Sequence, residues 1–391
     1  MLIMYSKMLY IIVNIYINMG DTTNKKRIFY YDFLRCFAIL SIIACHVFAG
    51  IVITKSLFGT GFWFYAVLLN SLRDIGVPLF VVISGALLLN RKQSLVEFAK
   101  KRFNRVVIPY LFWMVIFVLF VYSCAKMGIR FPADSTLSSI FFATFSLVPT
   151  GSGVFFWFVP MMITVYIIIF ILNKINMYYP AILKIALAAS IIFIILYNLL
   201  NLQIVKPMVY PFYAVFAILG YYLANTDFTI ESLKLNENKL FHENRLTVIF
   251  FVLSLCLYLL QVSIIASNSI MVNRYVSVSQ FSLLNVCIVC CIFLFARYFS
   301  LSVGWLKSIY YKIETSKLGV VITSISKTSY GIFLSHLMIY ILLQYMLKSY
   351  LPQLGNMIYY NLILILTILI SWGLIVILSK IPYLKKVSGA G

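Results

Sequence analysis

Residues 32–53 read DFLRCFAILSIIACHVFAGIVI, an apolar run long enough to cross a bilayer that is broken by two ionisable side chains, Arg35 and His46. Ionisable groups are costly in hydrocarbon, so their presence inside a span marks a site. Eleven positions separate them, close to three α-helical turns, which sets both on one face about 16 Å apart along the axis. Such a face can hold two ends of one long ligand. Asp32 lies three residues before Arg35, the i, i+3 spacing of a helical ion pair.

The rest of the chain repeats the apolar theme. Of 391 residues, 63% are hydrophobic and 10% charged, whereas an ordinary soluble domain carries about 25% charged residues. The composition excludes a soluble globule and specifies an all-α polytopic membrane protein. Runs of spanning length place ten helices at about 33–53, 74–90, 106–125, 154–173, 181–199, 207–224, 246–266, 281–300, 329–348 and 359–379. Residues 27–385 therefore read as one transmembrane domain, with a lead at 1–26 and a tail at 386–391. Leu9 to Ile17 is too short to span, no small-residue cleavage site follows it, and Met19 opens a more natural start. An interfacial helix is the alternative for that stretch.

Lysine and arginine set the orientation. Lys25, Lys26 and Arg27 precede the first span; Arg91, Lys92, Lys100, Lys101, Arg102 and Arg105 follow the second; Lys307, Lys312, Lys317 and Lys327 precede the ninth. With ten spans these share one side, opposite the sparse Lys55, Arg130, Lys206 and Arg274. The positive-inside rule then puts both termini in the cytoplasm. The net charge of +21 is thereby assigned to topology and anionic lipid, not to nucleic acid. The seven cysteines fall in or beside spans as small packing groups, and Cys287, Cys290 and Cys291 have no neighbouring histidine or carboxylate to complete a metal site.

Four further segments carry candidate chemistry. Arg102 and Arg105, one turn apart before Pro109, read on this pattern alone first as an anchor to lipid head groups, in a geometry that also suits a grip on phosphate oxygens. Val77 to Gly85 ends in Ser84-Gly85, small surfaces for close helix packing. Phe155-Phe156-Trp157-Phe158 opens the fourth span, where Trp157 reads as an interfacial aromatic or a glycan-stacking platform. Ser329 to His336 begins the ninth, giving a second intramembrane histidine with Tyr330 on the preceding turns; His242, in a polar inner loop, reads as solvated.

These five segments, in this order, resemble the acyltransferase-3 family of integral-membrane acyltransferases. The resemblance rests on Arg35 and His46, the Ser84-Gly85 ending, Arg102-x-x-Arg105 before Pro109, the Trp157 segment and the Ser329-Tyr330-Gly331-Ile332 run ending in His336, and covers roughly residues 27 to 385. Relatives often carry His-Leu before the Trp segment, where this chain has Phe155-Phe156, so no role is assigned there. The stand-alone members most resembled O-acetylate surface polysaccharides or their lipid-linked precursors, including O-antigen and the enterobacterial common antigen, in the bacterial inner membrane.

The resemblance implies acetyl-CoA as co-substrate, no permanently bound cofactor or metal, and a glycan or lipid-linked glycan as acceptor. Its residues then take roles: His46 as catalytic base with Arg35, donor phosphates among Arg102, Arg105 and Arg35, Asp32 as structural partner of Arg35, and His336, Tyr330, Ser84 and Trp157 as a second group. Histidine suits base catalysis because its ordinary pKa is near neutrality. A covalent acetyl relay through histidine or serine is the alternative to direct transfer. The rival class is a flippase or exporter of lipid-linked sugars, which needs no acyl donor.

Overall fold

A computed structural model describes residues 27–127, 138–141, 156–200, 208–226, 239–350 and 356–391, with all their side chains except those of 239–242 and 348–350. The sequence readings for residues 1–26, for Arg130, Phe155 and Lys206, and for the His242 side chain lie outside these. Among the described residues the elements are helices and no strand occurs. Lipid offers the backbone no hydrogen-bond partner, and a helix satisfies its own.

The long helices are α1 (Phe29–Val52), α2 and α3 (Gly61–Asn70, Arg73–Leu88), α4 and α5 (Leu95–Arg102, Ile108–Lys126), α6 (Phe158–Asn176), α7 (Ile182–Leu199), α8 (Ala214–Asn225), α9 (Lys239–Met271), α10 (Leu283–Leu301), α11 (Gly304–Thr315), α12 (Lys317–Tyr350), α13 (Asn356–Lys380) and the short α14 (Pro382–Val387). Side-chain caps start four of them: Thr60 accepts from the Trp63 N–H, Ser94 from Glu97, Ser282 from Asn285 and Ser316 from Gly319. Nine described stretches are long and apolar enough to cross a membrane. Outward faces of α7 and α9 expose Ile192, Ile195, Phe251, Leu255 and Leu260, each close to or above half exposed. A soluble protein does not carry apolar surface of that extent; a lipid-facing one does.

The sixth expected span is shorter than the sequence suggests. It consists of a 3-10 turn, Tyr210–Tyr213, and the 12-residue α8. It nonetheless covers the depth of α10. The Tyr213 ring packs on Phe281 just before α10 begins, and the carbonyls of Leu223 and Thr226 accept from Arg297 near its end, at 2.8 and 2.5 Å. The described helices therefore make ten passes between two ends. The end holding Arg27 also holds Arg91, Arg102, Arg105, Lys327 and Lys385, which line one cavity. The cationic loops grouped on one side by counting spans do lie together.

Helix α1 is central. Leu34, Ala38, Ile39, Val47 and Phe48 have no exposed surface, and α1 packs on α2, α3, α10, α12 and α13. Helix α3 comes close to it at Gly76, where a Cβ would stand 2.9 Å from the carbonyl oxygen of Ala38. The approach of α3 to α8 is closer still. A Cβ on Gly85 would overlap the Ala217 backbone, and one on Gly220 the Val82 backbone. Small residues let membrane helices meet at backbone distance, the packing expected of Ser84-Gly85.

Gly85→Ala should therefore separate α3 from α8. The expected loss is about 3 kcal/mol, the upper range for overpacking, read as a lower unfolding temperature and a reduced membrane-inserted yield. Gly50→Ala, where a Cβ meets nothing within 4 Å, should leave both unchanged. Equal behaviour of the two variants would remove the close contact from the account.

Candidate active site

A cavity of about 900 Å³ opens at the basic end of the bundle between α1, α3, α4, α6, α12, α13 and α14. Seven basic side chains line it: Arg27, Arg35, Arg91, Arg102, Arg105, Lys327 and Lys385. Among the described residues the one acidic side chain in its wall is Asp32. Such an excess of positive charge selects an anion with several phosphate-like oxygens. An adjoining groove of about 480 Å³ shares Arg27 and Ile28 and adds Lys307, Tyr310 and Tyr311. The mouth is thus wide enough for more than one group of a large ligand.

Asp32 organises the mouth. It is 1% exposed and accepts Arg27 through two bonds, Nε at 2.5 Å and Nη2 at 2.7 Å. Ser326 Oγ on α12 donates to it at 2.7 Å. Arg35 Nη1 stands farther off at 3.6 Å. The expected i, i+3 pair with Arg35 exists, but Arg27 is the closer partner, because a guanidinium reaching back from before the helix makes the planar two-bond fork that a residue one turn along cannot. Arg35 is left mainly to the cavity.

Arg102 and Arg105 both reach the wall. The backbone between α4 and α5 is a π-helical turn, Phe103–Val107, a local widening frequent at functional sites. The Arg102 guanidinium lies over the rings of Tyr166 and Phe98, 5.2 and 5.7 Å from their centroids. Its Nε is buried without a hydrogen-bond partner. Cation–ring contacts on two sides hold the group in place while leaving donors for a ligand. Tyr330 donates to the Val106 carbonyl at 2.9 Å and so ties the π turn to α12. Its hydroxyl is thereby committed away from His336. Ser84 lines the cavity and donates to the Phe80 carbonyl one turn back, at 2.8 Å.

The two intramembrane histidines meet, 290 residues apart in sequence. The ring centroids of His46 and His336 are 5.3 Å apart at 45°. His336 is 1% exposed. Its Nδ1 faces the carbonyls of Phe333 and Ile332 at 2.7 and 3.1 Å, which hold the proton of a neutral ring on Nδ1. Nε2 then carries the lone pair, and it is buried with no partner. An imidazole oriented by one nitrogen with the other aimed into the interior is the arrangement a base requires.

Neither histidine lines the cavity. The helix directions show what intervenes. Helix α6 runs towards the basic end, since Asn173 donates to the Leu88 carbonyl at 2.8 Å and accepts from the Asn90 N–H at 2.7 Å. Helix α3 runs the same way and α12 the opposite. The deepest lining residue on each of the three is a phenylalanine: Phe80, Phe158 and Phe333. Trp157, the neighbouring residue favoured by the sequence, stacks instead on Tyr210 with centroids 6.4 Å apart, away from the cavity. Arg27, Arg91 and Lys327 were read only as topology, and Lys385, Phe80, Phe158 and Phe333 were given no role of their own. Nothing in their local sequence separates them from other cations and rings.

A family model described as "Acyltransferase domain", that of the acyltransferase-3 family, matches residues 28–376. Among curated proteins and among solved structures nothing matches.

The Asp32 hub is testable by a double-mutant cycle. Asp32→Asn and Arg27→Gln should each lower stability. Their coupling energy should be about 1–3 kcal/mol, the range for hydrogen-bonded partners sharing a charge. Additive losses in denaturation of the detergent-solubilised protein would show the pair to be independent.

Proposed function

The chain belongs to the acyltransferase-3 family, and from that premise we propose that it transfers an acetyl group from cytoplasmic acetyl-CoA to a hydroxyl of a cell-surface polysaccharide or its lipid-linked precursor. Family membership makes it a membrane acyltransferase, and a flippase of lipid-linked sugars has no comparable support. The donor reading is carried by one observation, the deep cavity with seven basic side chains against one acidic side chain among the described residues. The 3′-phosphate and pyrophosphate of CoA match that charge, with Arg102, Arg105 and Arg35 as the nearest candidates by motif. The basic end is the cytoplasmic one on this reading, as the positive-inside rule expects, in a bacterial plasma membrane.

Helix α1 is unbroken from Phe29 to Val52, so Arg35 and His46 are separated by about 16 Å along its axis. A pantetheine arm of that order bridges a phosphate held near Arg35 and a thioester near the histidines. The acceptor hydroxyl oxygen attacks the thioester carbonyl carbon; a C–O bond forms and the C–S bond breaks. The hydroxyl proton passes to a histidine Nε2 and from there to the departing thiolate, leaving an ester and CoA. His46 is the base in this scheme, with His336 beside it. No metal or bound cofactor enters, and the acceptor approaches from the end opposite the donor.

His46→Ala and His336→Ala should each reduce acetyl transfer by about 10²-fold or more, the lower bound for a lost general base, with normal membrane insertion. Membranes supplied with acetyl-labelled CoA and lipid-linked glycans, scored for label in alkali-sensitive ester, give the measurement. Wild-type turnover in the His46 variant would remove it from the chemistry. Arg102→Gln and Arg105→Gln should raise the apparent KM for acetyl-CoA about tenfold each, the value of one charge-assisted contact. An unchanged KM would return the pair to lipid anchoring. Arg35→Lys should behave as the arginine variants do if its fork is used by the donor.

A further inference from the structure

The cavity and the histidine pair are separate compartments, and the material between them is aromatic. Phe80, Phe158 and Phe333 come from three different helices and are each the last lining residue before the interior. Their rings touch in sequence. Phe80 and Phe158 are 6.0 Å apart between centroids, and Phe158 and Phe333 are 4.7 Å apart. Phe333 then stands 5.9 Å from His336, and His336 stands 5.3 Å from His46. Phe158 and Phe333 are buried while Phe80 is half-buried against the cavity. The polar wall is on one side of this row of rings and the two imidazoles on the other.

We infer that Phe80, Phe158 and Phe333 form a constriction that selects the length of the acyl group, passing a two-carbon acyl to the histidines and refusing longer chains. This rests on the donor reading above. A charged, bulky CoA is held by the cations at the mouth, so the acyl end of the thioester alone needs to pass the rings. Its size is then judged by an apolar aperture rather than by hydrogen bonds. Apolar apertures discriminate by fit: each methylene that meets or lacks space changes binding by about 10- to 200-fold. Rings from three independent helices, each touching the next in a row, leave little room to adapt, since packed interiors resist small displacements. Three small lining residues would have made a chamber that accepts many chain lengths.

Binding by purified protein in lipid nanodiscs tests this without knowledge of the acceptor. The dissociation constants of CoA, acetyl-CoA and hexanoyl-CoA are read from ligand-induced thermal stabilisation. The unsubstituted protein should bind hexanoyl-CoA about tenfold or more weakly than acetyl-CoA. Phe80→Ala, Phe158→Ala and Phe333→Ala should each shrink that ratio about tenfold or reverse it, with each thioester read against CoA bound by the same variant. If an alanine variant does not fold, its leucine counterpart carries the test with a smaller shift in the same direction. Binding of all three ligands with a ratio near one, or a ratio that no variant moves, overturns the constriction and leaves the donor reading intact. No binding of CoA or either thioester by the unsubstituted protein overturns the donor reading and the constriction with it.

Discussion

The carboxylate of Asp32 is what makes the cluster of cations at the basic end compatible with a folded bundle. Seven basic side chains facing one space repel one another, and a low-dielectric surround strengthens that repulsion. Asp32 neutralises the nearest of them, Arg27, by a two-bond fork, and is itself fixed from α12 by Ser326. The first helix and the twelfth are thereby joined at the level where the cavity opens. Arg35 is drawn to 3.6 Å from the same carboxylate but not captured by it. One anion orders the mouth while the remaining cations stay available for an anionic ligand.

Below the mouth the structure is governed by close helix approach. Gly76, Gly85 and Gly220 bring α1, α3 and α8 to backbone contact, which draws α3 into the centre of the bundle. That position turns Phe80, Ile83, Ser84 and Leu87 of α3 towards the cavity. The same contacts explain the short sixth passage. A helix packed at glycine distance against α3 and tied to α10 at both ends gains its stability from its neighbours. It does not need the length of a helix bathed in lipid on all sides.

Much of the frame was legible in the sequence because membranes impose simple rules. Apolar run length located the spans, and the basic loops grouped at one end as counted. The face shared by Arg35 and His46 followed from helical periodicity alone, and Arg102 and Arg105 do reach the cavity. What was illegible depends on contacts between distant segments. His46 and His336 stand in helices 290 residues apart, and only the crossing of α1 and α12 brings their rings together. Arg27 carried no mark distinguishing it from the other juxtamembrane cations until Asp32 was seen to hold it. Phe158 was passed over in favour of Trp157 because an indole at a span end has a ready interfacial reading. The two adjacent side chains point to different places, and the helix rotation that decides between them is a tertiary property.

The order of groups along the interior bears on how the two histidines divide the work. From the mouth inwards come the cations, the three phenyl rings, His336 and then His46, each ring within contact distance of the next. On the proposed reading the donor arrives from the mouth and the acceptor from the other end, so His336 is the histidine nearer the thioester and His46 the nearer to the acceptor. A general base must reach the proton it removes, which lies on the acceptor hydroxyl. That favours His46 for the base, as its place in the first-span motif suggested. It gives His336, whose Nδ1 is committed to backbone carbonyls, a different duty at the thioester side. A nucleophilic relay would reverse the emphasis, since the group attacking the thioester must then be the one beside the rings, His336, through its unpartnered Nε2. The two mechanisms thus differ in which imidazole first contacts the acyl carbon. The pair is close enough for either imidazole to influence the other, so removing one changes both. Only a trapped acyl group on His336, or its absence under donor saturation without acceptor, separates a relay from direct attack.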